Sequence, residues 1–363
     1  MMQWNSLRRR LVRGVLWAVA LGLLARVLWV NQKSFREVFD HKPDLRYLAL
    51  AFGLFLTGLV ATFVRWWVVV RTQRLPLRLR DAIRVGFIGN ALDVIVPGQV
   101  GGDVVKATFL CRVQERKTRA IAAGLVDRAI GILGLFLLAS LMGAIQWPSS
   151  GPAIRRLIVV VWATLCAGML AFSVVFTPAL LRQIERLGAR RGRRVRSILA
   201  ELHATSVAYS DHKAGLVLGL GMSTVSHTLL SLTFVMVSFA LLPHPPRVLE
   251  QLLVVPLITF STAVPLPFGA LGLGEQVSDE LFRMLGHSMG VVVMLGFRAI
   301  GLAASGISVT VYLANAHGLL QPSPSPVGAA SQDVPISSSD EETNGHAVAL
   351  FPTAVDTMDG DKL

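Results

Sequence analysis

The sequence predicts an all-α, polytopic membrane protein. It comprises about six transmembrane helices, two re-entrant helical hairpins in an inverted-repeat arrangement, and a disordered C-terminal tail. Three observations carry this reading. The 363 residues are 53% hydrophobic and only 16% charged, against about 25% charged in soluble domains. Apolar runs recur that approach the ~20 helical residues needed to cross a hydrocarbon core. Two further apolar stretches, one in each half, are interrupted by proline and glycine.

The formal charge is +13. Gln321–Leu363 holds seven acids and one lysine, a net of −6, which leaves about +19 on the rest. The basic clusters fall between apolar segments. That pattern orients helices against an anionic leaflet and argues against nucleic acid as a partner. Cys111 and Cys166 stand far apart with no CxxC or Cys/His spacing, so neither a disulfide framework nor a metal site is expected.

The chain opens with "MMQWNSLRRRLVRGVLWAVALGLLARVLWV". A signal peptide is the competing reading, but Arg26 interrupts the apolar part and the run is long. Leu11–Val30 is therefore read as a retained first span. Further spans are expected at Tyr47–Val70, Ala120–Ile145, Leu157–Phe176, Ala214–Leu242 and Met289–Ala314. The positive-inside rule orients them. "RRRLVR" places the N-terminus inside. "RTQRLPLRLRDAIR" (71–84) and "CRVQERKTR" (111–119) both belong inside too. Ile83–Phe109, between those loops, must then enter and leave on one side, as a re-entrant hairpin. Ala120–Ile145 goes out and Leu157–Phe176 returns to "LLRQIERLGARRGRRVR", whose arginines continue into a cytoplasmic helix to Ser210. Ala214–Leu242 goes out again, so the second broken stretch, Leu249–Glu275, starts from outside. Met289–Ala314 brings the chain back inside.

This assigns residues 1–318 to one transmembrane domain, with repeat halves at about 47–145 and 214–314. Residues 319–363 form a Pro/Ser/Gly-rich acidic tail that cannot bury enough apolar surface to fold. The expected location is a bacterial-type cytoplasmic (inner) membrane, crossed several times, with both termini cytoplasmic.

The two broken stretches resemble each other. "VPGQVGGDVV" (96–105) and "VPLPFGALGLGEQV" (264–277) each run from proline through glycines to Gly-acid, ending on Asp103 or Glu275. Downstream, "DRAIG" (127–131) matches "FRAIG" (297–301). The acid-to-arginine separations are 25 residues (Asp103 to Arg128) and 23 residues (Glu275 to Arg298). The charge rule sets the two stretches on opposite faces, the pattern of an inverted-topology repeat with its substrate site near the midplane. Backbone that leaves helix geometry at this depth must line a cavity or pack on protein. Pro97, Pro265 and Pro267 stop the incoming arms. Helices restarting near Gly102 and Gly274 aim free N–H groups at an anion.

The elements "RWWVVV", "GNALDVIVPGQVGGDVVKATFLCR", "GLVDRAIGILGL", "PLPFGALGLGE" and "FRAIG" together resemble the lysylphosphatidylglycerol synthase transmembrane region family, whose stand-alone members are called flippase-like domain proteins. The resemblance covers roughly Leu11 to Ala314. It implies a polytopic inner-membrane protein linked to phospholipid handling and lipid translocation. The family's usual arginine after Gly-Gly-Asp-x-x is Lys106 here, which keeps a cation but loses the bidentate fork. Well-known relatives carry a soluble aminoacyl-transferase domain. The short acidic tail leaves no room for one, so lipid aminoacylation by this polypeptide alone is not expected.

The candidate substrate-binding residues are Asn90, Asp93, Pro97, Gly101, Gly102, Asp103, Lys106, Asp127, Arg128, Gly272, Gly274, Glu275 and Arg298. Arg128 and Arg298 lie well inside their spans, where an unpaired charge costs ~3 kcal/mol even on the milder insertion scale. Each either holds a lipid phosphate through a charge-assisted fork or pairs with the acid of its own repeat, and the pairing is the favoured reading. Asp127 points about 100° away from Arg128 around the helix and faces something else. Asp93 binds a headgroup amine or a coupling proton, or else caps the broken helix. Lys106 faces phosphate or, preferably, the cytoplasmic leaflet. Arg26 and Arg65, near their span ends, can snorkel and are assigned structural roles first. Arg65 belongs to the family-like "RW" element, so a site role stays open for it, and His227 has the role of a hydrogen-bonded core histidine.

No catalytic set, Walker A loop, metal cluster or cofactor motif stands out. The leading expectation is a passive or ion-coupled translocator of a phospholipid or lipid-linked glycan, and not an enzyme. The alternative is an intramembrane lipid-headgroup transferase with Asp93, Asp103 and Glu275 as acid/base groups, or an accessory subunit of a separate lipid-modifying enzyme.

Overall fold

The computed structural model describes residues 42–72, 75–95, 101–113, 117–175, 177, 213–264 and 270–315. Every regular element among them is helical: Leu45–Thr72 (α1), Leu79–Ile95 (α2), Gly101–Val113 (α3), Lys117–Gln146 (α4), Pro152–Val175 (α5), Lys213–Leu241 (α6), Val248–Ser261 (α7), Leu273–Met284 (α8) and Gly290–Asn315 (α9), with a short 3₁₀ turn at Trp147–Ser149. Five of these, α1, α4, α5, α6 and α9, are long and apolar enough to cross a membrane. They coincide with five of the expected spans. The first expected span (Leu11–Val30), Pro97, the helix to Ser210 and the acidic tail lie outside the described residues.

Each broken stretch contributes two helices; Pro97, Pro265 and Pro267 lie between them, outside the described residues. Ile83–Phe109 becomes α2 and α3, which pack against each other; Leu249–Glu275 becomes α7 and the start of α8. The second broken apolar stretch reaches Glu275, just past the expected helix restart at Gly274. The helix continues to Met284. It is amphipathic: Leu281 and Phe282 are buried in the core, while Arg283 reaches back to Asp279 at 2.6 Å.

Helices α1 and α6 share the most extensive interface, and α4 packs on both α6 and α7. Small residues permit the approach, as is usual where dispersion rather than hydrophobicity drives association. A Cβ on Gly58 would come within 3.1 Å of Leu230. One core gathers Phe234, Leu253, Ile258, Phe282 and Met294; a second, around Trp66, Val70, Val85 and Leu110, lies at the junction of α1, α2 and α3. The opposite surface is apolar and uncovered: Val159, Val160 and Leu170 of α5 are exposed, as suits a face covered by lipid chains. At the α4–α5 turn, Trp147 and Trp162 stack at 5.2 Å and Arg155 lies over Trp147 at 5.5 Å, an aromatic anchor of the kind that marks a membrane–water interface.

Candidate functional site

The first unit is built on close backbone contact. A Cβ on Gly101 would fall 2.7 Å from the Leu92 carbonyl oxygen, and one on Gly89 would fall 2.9 Å from the Gly102 Cα. Only glycine lets α3 restart this close to α2. Asp93, on α2, accepts a hydrogen bond from the Gly102 N–H at 2.7 Å. It thereby caps the restarted helix, satisfying one of the donors a helix start leaves open. Asp103 lies in the first turn of α3, and its Oδ2 accepts from Arg128 Nη1 at 2.5 Å. The pair is 39–40% exposed on both sides.

The second unit repeats the bridge with a different finish. Gly272 adopts φ 86° at the start of α8, a left-handed conformation that favours glycine. Its N–H donates to Glu275 Oε2 at 2.6 Å, while Arg298 Nε donates to Glu275 Oε1 at 2.5 Å. Arg298 Nη2 also reaches the Ala270 carbonyl at 3.4 Å. Glu275 is fully buried and both its oxygens are bonded. Gly274 makes room: a Cβ there would meet Thr262, Met294 and Arg298 at 3.1–3.2 Å. The pairing of each arginine with the acid of its own repeat is thus present in both halves. One copy is open and the other sealed.

The remaining candidates divide. Asn90 Nδ2 donates to Ser308 Oγ at 3.0 Å and Ser305 Oγ at 3.3 Å, tying α2 to α9. Lys106 does not face the leaflet. Its ammonium lies 5.5 Å from the Trp66 ring centroid and 4.0 Å from Asp127 Oδ2. The reason is register: one turn after Asp103, Lys106 falls on the side of α3 that packs against α1 and α4. Asp127 does face away from Arg128's partner. Its Oδ2 accepts from Arg65 Nη2 at 3.2 Å.

Arg65 takes a structural role, but as a buried side chain and not by snorkelling, with Nη1 donating to Ser223 Oγ at 3.0 Å. His227 Nε2 donates to the Gly131 carbonyl at 3.0 Å, the core role expected of it. Sequence reasoning keeps a site role for Arg65 only as an open alternative and misses Ser223. The one available signal was the family-like "RW" element containing Arg65.

Comparison with known proteins returns no match among curated proteins or among solved structures. The model of the family described as "Lysylphosphatidylglycerol synthase TM region" matches residues 14–329. That range contains all of the helices above, both acid–arginine bridges and the buried Arg65–Asp127 pair. The chain is therefore a multi-pass membrane protein that belongs to the lysylphosphatidylglycerol synthase transmembrane region family.

Proposed function

We propose that this protein binds a phospholipid or lipid-linked glycan by its phosphate and moves it between the leaflets of a bacterial-type cytoplasmic membrane. The observation that carries the reading is the half-exposed Asp103–Arg128 bridge at the start of α3. Arg128 commits Nη1 to Asp103; its Nε and second Nη make no hydrogen bond with the described residues. A guanidinium with unused donors beside a helix N-terminus is a phosphate-binding arrangement. The two helix–break–helix units act as re-entrant hairpins entering from opposite faces, with both termini cytoplasmic. The shared acid–arginine bridge and the alternation of basic loops support this inverted repeat.

The test is lipid movement in proteoliposomes, read by chemical quenching of a fluorescent headgroup label in the outer leaflet. Wild-type protein should let the inner-leaflet label reach the quencher. Arg128→Ala should slow this on the order of tenfold, the loss of one charge-assisted contact. Folded wild-type protein that moves no phosphatidylglycerol, phosphatidylethanolamine or lipid-linked glycan beyond empty vesicles would overturn the proposal.

A further inference from the structure

A second charged cluster lies inside the bundle, where α1, α3, α4 and α6 meet. Arg65 donates to Asp127 and Ser223; Lys106 approaches the same Asp127 oxygen from α3; Ser223 and His227 both donate to the Gly131 carbonyl, at 3.4 and 3.0 Å. Two cations thus share one carboxylate. Asp127 is 4% and Arg65 7% exposed. Asp127 Oδ1 and Arg65 Nε are buried with no hydrogen-bond partner. Lys106 also lies within electrostatic reach of Asp93 on α2, so what the cluster leaves unmet is two orphaned polar atoms, which are costly to keep at this depth. The nearby acid on α3, Asp103, is already held by Arg128.

We propose that Arg65 and Lys106 form a second seat for a phosphate, and that the Asp127 carboxylate is its resident occupant. The proposal rests on the reading of Arg128 as the first phosphate contact. Asp127 and Arg128 are consecutive in α4, and Asp103 and Lys106 are one turn apart in α3. The two α3–α4 bridges therefore run side by side, one open and one buried. A phosphate leaving Arg128 meets Lys106 as its next cation. The Lys106–Asp127 contact, at 4.0 Å, is looser than the Arg65–Asp127 contact at 3.2 Å. Lys106 can turn to the phosphate and Arg65 can offer its unbonded Nε while Nη2 still holds Asp127, so exchange never strips the carboxylate bare. The recognised chemistry is a phosphate mono- or diester, from a lipid headgroup or from free phosphate.

The experiment uses the full chain in dodecyl maltoside micelles, which carry no phosphate. Binding of dihexanoylphosphatidylglycerol and of inorganic phosphate is measured by calorimetry. Asp127→Asn removes the resident anion and should tighten binding about tenfold or more, since one like charge near the phosphate is gone. Adding Lys106→Gln should abolish that gain. Lys106→Gln alone leaves the Arg65–Asp127 bridge in place and should weaken binding about tenfold. A gain for the lipid alone assigns the seat to a lipid headgroup; a gain for both probes assigns it to phosphate in general.

A cluster that merely holds helices together predicts the other sign: Asp127→Asn would bind both probes equally well or more weakly, and that result in folded protein overturns the proposal. Should Asp127→Asn not fold, unchanged affinity in Lys106→Gln overturns it instead. Arg128→Ala separates the two layers of inference. If that variant binds as wild type does, the first contact falls and the second seat falls with it. If it binds weakly while Asp127→Asn gains nothing, the second seat alone falls.

Discussion

Replacing Glu275 should destabilise the protein far more than replacing Asp103, although both acids make the same 2.5 Å bridge to an arginine. The difference lies in burial. Glu275 is fully buried, against 17% exposure for the Arg298 side chain, whereas Asp103 and Arg128 are about 40% exposed. Glu275→Ala takes from the largely buried Arg298 its fully buried carboxylate partner, a loss of about 3–5 kcal/mol, and leaves the Gly272 N–H without its acceptor, worth roughly 1–3 kcal/mol more. Asp103→Ala also unpairs an arginine, but one about 40% exposed and free to turn toward polar surroundings, and it orphans no backbone donor, so it costs less. The assay is equilibrium unfolding of purified protein in mixed micelles, with circular dichroism as readout and the two variants side by side. Glu275→Ala should be the costlier by at least the roughly 1–3 kcal/mol of the orphaned Gly272 N–H. The double variant Glu275→Gln, Arg298→Met should recover most of the loss, because Gln still accepts from Gly272 and no buried charge remains. If Asp103→Ala costs as much as Glu275→Ala, or the double variant is no better than the single, burial is not what distinguishes the bridges.

Gly101→Ala should lower the melting temperature, because its methyl group would press on the Leu92 backbone carbonyl at 2.7 Å, and overpacking of this kind costs ~1–3 kcal/mol; an unchanged transition would show that α2 and α3 separate freely. Asn90→Ala loses two hydrogen bonds to Ser305 and Ser308 and should cost about 1 kcal/mol, with hydrogen exchange rising in α2 and α9 together; exchange confined to one of them would refute the tie.

Much of the architecture is local and was readable as such. Five of the expected spans reappear as long apolar helices, because hydropathy over about 20 residues responds to the solvent and not to neighbours. The restarts of α3 and α8, at Gly101 and Leu273, fall within a residue or two of the expected restarts after Gly102 and Gly274. The Asp103–Arg128 and Glu275–Arg298 pairings followed from their matched spacings. The extent of α8 did not: the apolar stretch stops at Glu275, while the helix runs on through Asp279 and Glu280 to Met284. Packing of Leu281 and Phe282 into the core keeps them helical.

The sequence by itself determined the membrane class, the two broken stretches and the acid that answers each arginine. Those depend on composition and on spacings of about 25 residues within a repeat. Tertiary structure alone decided which bridge is sealed, where Lys106 turns and what Arg65 holds. Arg65 and Asp127 are 62 residues apart, and Arg65 and Ser223 are 158 apart. Such partners are chosen by how α1, α4 and α6 rotate against one another, and no local pattern encodes that rotation. Burial follows from the same packing, and it sets the cost of every charge in this protein.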